Sequence, residues 1–263
     1  MMLQEDFSKY NGDGTQLRKA QLRMLEILIE VDNICRRHNI EYYLEGGSML
    51  GAIRHQGFIP WDDDLDISVM KEDYPRLRKA LIEELPENMV FQDNKTDFNY
   101  PLLFGKVRDK HSYIEESDLS KIKEKGIYID IFPNEKVPSM WWKEKVDYPY
   151  GHCFRAIHNY TNTRDKIISY FVFPFAWILV QLTRVINTVI PSDKIAYVYG
   201  CQAGYNNYSK KDVFPLMMVP FENIKVPVPH NYDAVLRALY GDYMQIPTEE
   251  KRRVHGTKIE FYD

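Results

Sequence analysis

Apolar positions recur along this chain with two periods. In residues 16–38, Leu17, Met24, Leu28, Val31 and Cys35 form a stripe with Arg and Glu between them. Spacings of three, four and seven put such residues on one face of a helix, and Asn39 follows as a stop signal. Residues 72–85 predict a second helix, ended by Pro86. Strands are predicted at 40–44, 64–69, 90–92, 102–108 and 112–116, and a β-branched and aromatic run at 126–133 predicts a buried strand. The strands at 90–92, 102–108 and 112–116 are expected to extend the sheet that holds 64–69 and 126–133. Residues 140–208 have helical texture and are expected to form a second lobe. Residues 221–229, with prolines at 220, 227 and 229, read as an edge or a loop. Residues 233–240 predict a short last helix closed by Gly241. The expected fold class is α/β (α+β), a mixed sheet with flanking helices and an appended helical subdomain. Residues 1–139 would be the core, and 140–263 the helical subdomain with a closing segment.

The candidate chemistry lies where these patterns break. Asp62, Asp63, Asp64 and Asp66 put four carboxylates within five residues. In a strand, residues i and i+2 face the same way, so Asp64 and Asp66 project together while Leu65, Ile67 and Val69 are buried. Adjacent carboxylates of this kind suit a hard cation such as Mg²⁺, held by few protein ligands plus substrate phosphate. A solvated acidic turn would show the same letters. A calcium loop is excluded, because Ile67 stands where its glycine belongs and Asp73 where its bidentate Glu is expected. Upstream, a strand runs into Gly46-Gly47-Ser48 and then a helical segment, an order that offers backbone N–H groups and a hydroxyl to a phosphate. Asp130, set among apolar residues of the 126–133 strand, needs a cation or several donors. It reads as the third carboxylate of the site. Arg54 and His55 lie between the glycines and the acids, and Lys106 and Arg108 alternate along one strand. Any of these cations is a candidate for the donor's phosphates or a plain surface charge.

Three stretches, YYLEGGSMLGAIRHQGFIPWDDDLDISV, GIYIDIFP and LYGDYMQIPTEEKRRVH, resemble the LicD family of phosphotransferases, related to fukutin-type enzymes within the nucleotidyltransferase-fold superfamily. The similarity runs from Gln16 to His255. It implies a nucleotidyltransferase-like sheet, a glycine-serine turn for nucleotide phosphates at Gly47 and Ser48, and a metal pair at Asp64 and Asp66. It also implies a third acid matching Asp130. Arg252, Arg253 and His255 fall in the closing motif with no role assigned. The resemblance further implies transfer of phosphocholine from CDP-choline to a glycan or teichoic acid, with release of CMP.

Composition narrows this further. A chain of 263 residues buries a substantial core, and a net charge of -4 exerts no general pull on nucleic acid. The three widely spaced cysteines, Cys35, Cys153 and Cys201, read as reduced core thiols, and the start Met1–Asp6 has no secretory pattern. Both point to the cytoplasm. Aromatic residues make up 14% of the chain, and Trp61, Tyr42, Tyr43, Tyr100 and Tyr128 are candidates to hold a quaternary ammonium by cation–π attraction, although most aromatics are core.

The expected activity is therefore Mg²⁺-dependent (or Mn²⁺-dependent) transfer of a phospho-alcohol from a CDP-activated donor to a lipid-linked glycan or teichoic acid precursor. Asp64, Asp66 and Asp130 would be catalytic and metal-binding, and Gly46, Gly47, Ser48, Arg54, His55, Trp61, Lys106 and Arg108 substrate-binding. Alternatives are another CDP-activated alcohol, a D-x-D glycosyltransferase, or an inactive ligand-binding relative. Residues 167–182 carry no charge and are broken by Pro174. They are too short to span a bilayer and read either as a buried helix or as a peripheral contact with the inner face of the membrane.

Overall fold

The computed structural model describes residues 6–116, 119, 121–158, 162–190, 192–201, 208–252 and 258–262. Residues 1–5 of the chain start, and Arg253 and His255 of the closing motif, lie outside the described residues. The elements run α1 (Ser8–Asn11), α2 (Gln16–Arg37), β1 (Tyr42–Leu44), α3 (Gly46–His55), β2 (Asp66–Met70), α4 (Tyr74–Glu84), β3 (Met89–Gln92) and β4 (Gly105–Asp109). There follow β5 (Ser112–Ile114), β6 (Tyr128–Lys136), α5 (Met140–His158), α6 (Thr163–Val189), β7 (Lys194–Tyr197) and β8 (Tyr208–Ser209). The chain closes with α7 (Lys210–Val213), β9 (Leu216–Phe221), β10 (Ile224–Pro229), α8 (Tyr232–Tyr240) and β11 (Ile259–Phe261).

A mixed sheet in the order β1-β2-β6-β4-β3 forms the centre, and β7 and β8 continue from the far end of β6. Only β2 and β6 pair in parallel; their neighbours are antiparallel. The predicted α/β class is therefore the observed one. α2 starts where the Thr15 side chain accepts the Arg18 N–H at 3.1 Å, and it ends before Asn39, which has φ +50°. Its stripe from Ala20 to Cys35 is buried against the sheet. Burying each Leu or Ile there contributes about 1.5–3 kcal/mol, so α2 is the clamp that holds the acid-bearing strands from behind.

Two expectations change. β5 does not extend the central sheet; it pairs with β11 from the end of the chain. Within 140–208, residues 194–197 and 208–209 are strands of the central sheet rather than helix. Of the two readings of 221–229, the edge holds: residues 216–229 form a β9–β10 hairpin, with Pro227 opposite Met218. A two-stranded ribbon consists of edge strands, where proline is tolerated.

α5 and α6 pack side by side, Phe173 stacking on Tyr150 with centroids 5.3 Å apart. α6 is long and apolar enough to cross a membrane by length and composition. The buried-helix reading of 167–182 does not hold: Phe171 and Phe175 are each 73% exposed.

Candidate active site

β2 and β6 set the acids. Asp66 stands opposite Asp130 across the parallel pair, so both carboxylates leave the same face of the sheet. The Asp130 N–H donates to Leu65 O at 2.9 Å, locking this register. From the other side α3 holds the start of β2. The Ser48 hydroxyl oxygen accepts the Asp66 N–H at 2.8 Å, and the Glu45 N–H donates to Asp66 O at 3.0 Å.

The glycines explain how α3 comes so close. Gly46 has φ +52°, a conformation disfavoured for any residue with a Cβ. A Cβ on Gly47 would come within 2.9 Å of Asp62 Oδ2. Glycine at both positions lets the acidic loop close against the N-terminus of α3, whose partial positive charge favours anions. The same loop is held from below by Gln21 on α2, whose amide donates to Asp62 O at 2.9 Å and to Ile59 O at 3.3 Å.

Gly46, Gly47, Asp62, Asp64 and Asp66 line one cavity of about 340 Å³, closed on its far side by Tyr197, Leu239 and Tyr240. Burial, reinforced by the charges of Asp64 and Asp130, pushes the Asp66 carboxyl well above its usual range. Burial and the neighbouring Asp64 and Asp63 do the same to Asp62. Carboxyl groups crowded into one cavity thus disfavour one another's ionisation.

Asp130 differs. Lys106, buried on β4, places its ammonium 2.7 Å from Asp130 Oδ1 and 3.2 Å from Glu116 Oε2, over the Tyr128 ring at 3.2 Å from the centroid. Burial raises the Asp130 pKa to about 6 although Lys106 pulls it down.

The remaining sequence candidates fall outside the cavity lining. Arg108 is fully buried and donates to Gln92 Oε1, Gly126 O and Glu116 Oε1 at 2.6, 3.0 and 2.6 Å. Arg54 donates to Tyr243 O at 2.8 Å, tying α3 to the segment after α8. Its Nε–H donates to His55 Nε2 at 2.9 Å. Burial and the Arg54 charge lower the His55 pKa to about 4, so the imidazole is neutral and able to accept. Trp61 is buried among Phe7, Tyr10 and His55, with Arg252 over its ring at 4.8 Å. Tyr42, Tyr43 and Tyr100 are buried core residues, and Tyr128 carries Lys106.

Four residues that sequence reasoning missed belong to this site. Glu45 is buried at the start of α3 and accepts from the Gly46 N–H at 3.3 Å, from the Ser68 hydroxyl at 2.6 Å and from the Tyr208 hydroxyl. Gln21 supports the loop, and Tyr197 and Tyr240 wall the cavity. Glu45 was legible as the acidic residue just before a helix start, and Tyr240 stood within the closing motif. Gln21 and Tyr197 left no such signal.

Carboxylates crowded beside a helix N-terminus and a glycine pair are an arrangement that suits a phosphate and a cation. The chain belongs to the LicD family: the family model described as LicD/FKTN/FKRP, nucleotidyltransferase domain, matches residues 39–178. Over 258 residues it is 29% identical to the lipopolysaccharide cholinephosphotransferase LicD of Haemophilus influenzae, covering 91% of this chain and 95% of that protein. Over 69 residues it is 56% identical to the ribitol 5-phosphate transferase FKRP of Mus musculus, covering 26% of this chain and 14% of that protein. The chain is thus a phosphotransferase that carries a phospho-alcohol.

Proposed function

We propose that this enzyme moves phosphocholine from CDP-choline to a lipid-linked cell-surface glycan or teichoic acid precursor, releasing CMP, at the cytoplasmic face of the membrane. The observation that carries the reading is the shared cavity of the α3 start with Asp62, Asp64 and Asp66. An N-terminus that favours phosphate faces carboxylates that repel one another until a cation joins them. The similarity to the Haemophilus cholinephosphotransferase supports the choline part.

A hard divalent cation, Mg²⁺ or Mn²⁺, fits this all-oxygen donor set. Among the described residues no three His, Cys, Asp or Glu side chains are gathered into a ready metal site. The protein would therefore supply Asp64 and Asp66, leaving room for phosphate and water oxygens, as Mg²⁺ sites commonly do. Such an ion offsets charge developing on the diphosphate. Asp130, kept beside Lys106, would be the third carboxylate and would take the proton of the acceptor hydroxyl. Gly47 gives the phosphates close approach, and Ser48 holds the strand that presents Asp66. Tyr197 and Tyr240 border the cavity, and an aromatic ring there would attract a quaternary ammonium.

The test is a thermal-shift panel of CDP-choline, CDP-ethanolamine, CDP-glycerol, CDP-ribitol and UDP-sugars, each with and without Mg²⁺. A ligand that binds the folded state raises Tm by an amount that grows with the logarithm of its excess over Kd. CDP-choline with Mg²⁺ should give the largest shift. The segment shared with the ribitol 5-phosphate transferase favours a second reading, and a larger CDP-ribitol shift would select it. A response to UDP-sugars alone would refute both.

A further inference from the structure

We infer that α6 is a membrane-lying helix, which seats the catalytic sheet on a lipid bilayer through its outward face. The polarity of this helix is reversed relative to a helix of a water-soluble protein. Apart from Phe173, which packs on α5, the side chains it turns inward are small or polar: Ser169, Ala176, Val180, Thr183 and Asn187 are all buried. The side chains it turns outward are large and apolar. Phe171 and Phe175 are each 73% exposed, Leu182 55%, Val185 65% and Val189 78%. A soluble helix buries its apolar stripe and hydrates the polar one, whereas small and polar inner faces with apolar outer faces are the pattern of helices that meet lipid.

The outward face is also long and uncharged. From Ile167 to Ile190 its exposed residues include no Asp, Glu, Lys or Arg, a ridge of about 35 Å at 1.5 Å per residue. Monomeric soluble proteins rarely leave a contiguous apolar surface of that extent in water. Three further features select a bilayer as the occupant. Tyr170 and Trp177, seven residues apart, lie on one border of the ridge, the position aromatic residues take at the membrane–water boundary. At the end where α5 meets α6, Arg155, Arg164 and Lys166 outnumber Asp165, a local positive balance on a chain of net charge -4. That balance complements anionic headgroups. Finally, a single convex helix ridge enters a fluid bilayer without a shaped counterpart.

The helix lies on the bilayer rather than crossing it, because its inner face is fastened to the catalytic sheet. Arg184 donates twice to Glu135 on β6, at 2.8 and 2.9 Å. Trp142 Nε1–H donates to Thr183 Oγ1 at 3.1 Å, and the Asn187 amide donates to Lys136 O. Glu135 also accepts from Lys71, which directly follows β2, at 2.8 Å. One carboxylate therefore joins the lipid-facing helix to both strands that bear Asp66 and Asp130. This would hold the active site at a set distance from the membrane surface, where an acceptor carried on lipid would present its sugar.

The experiment is co-sedimentation of the full chain with sucrose-loaded vesicles, either phosphatidylcholine alone or mixed with phosphatidylglycerol. Wild type is compared with the double variant Phe171→Glu and Phe175→Glu. Both side chains are largely exposed, so folding should survive, checked by circular dichroism and melting temperature; Phe173, which packs on Tyr150 and Phe154, is left intact. Wild type should pellet with vesicles, more with the anionic mixture, and the double variant should lose at least tenfold in partitioning. Wild type remaining in the supernatant overturns the inference, as does a folded double variant that pellets equally. A solution dimer that the double variant dissolves, with no vesicle binding, would assign the face to a second copy of the chain. If the double variant fails to fold, Val185→Glu with Val189→Glu carries the same comparison. No nucleotide enters this assay, so its outcome is separate from that of the donor panel.

Discussion

At Asp66 a single carboxylate shows what the site is built to receive. Its folded pKa lies well above the unfolded value, through burial first and then through Asp64 and Asp130. Such a group binds its proton more readily when folded. Its effect on stability is therefore neutral below about pH 4 and increasingly unfavourable as pH rises through the folded pKa. Asp66→Asn should melt higher than wild type in the absence of metal, with a margin that closes below about pH 4 and widens toward neutrality. Differential scanning calorimetry across this range checks the sign, and Mg²⁺ should raise wild-type Tm more than that of the variant. Asp130 behaves differently because Lys106 is its partner. Asp130→Asn leaves a buried ammonium with Glu116 alone, so it should lower stability, by up to about 3 kcal/mol. If Asp130→Asn stabilised the protein as Asp66→Asn is expected to, the ion pair would be of no consequence to the fold.

At the scale of elements, the site depends on α3 arriving over β2. Ser48→Ala leaves the Asp66 N–H without its acceptor, a loss of about 1–3 kcal/mol. Urea unfolding measures that loss, and an unchanged midpoint would show that water replaces the hydroxyl. Gly47→Val would force Asp62 aside, and should raise the donor KM and lower kcat together. Tyr240→Ala removes an aromatic wall at the end of α8 and should raise KM for a choline donor while sparing one without an ammonium. Equal effects on both donors would place Tyr240 away from the head group. The acidic elements were legible because period-two alternation and an apolar β-branched run are strong signals, and α2 because its stripe runs along a helix of 22 residues. The prolines of 221–229 left an edge or a loop open, and the pairing with β9 is what makes it an edge strand. β7 was hidden because Lys194–Tyr197 is four residues following a long helical stretch, and its pairing with β6 and β8 makes it a strand. Arg108 looked like a phosphate ligand by its alternation with Lys106. Which face of β4 is roofed over is a tertiary fact, and there Gln92, Gly126 and Glu116 take up its donors.

For the whole molecule, a carboxylate cavity at one end of the β2–β6 pair and the apolar helix α6, anchored to β6 by Arg184 and Glu135, make one assembly. The central claim is that Asp64 and Asp66 hold a divalent cation against the diphosphate of a CDP-activated alcohol. Isothermal titration of the full chain with CDP-choline, with Mg²⁺ and with chelator, tests it most directly, alongside the same titration of Asp64→Asn. Binding to wild type should depend on Mg²⁺ and weaken at least tenfold in Asp64→Asn, about 1.4 kcal/mol or more. Equal affinity with and without Mg²⁺, or an Asp64→Asn variant that binds as wild type does, would contradict the account.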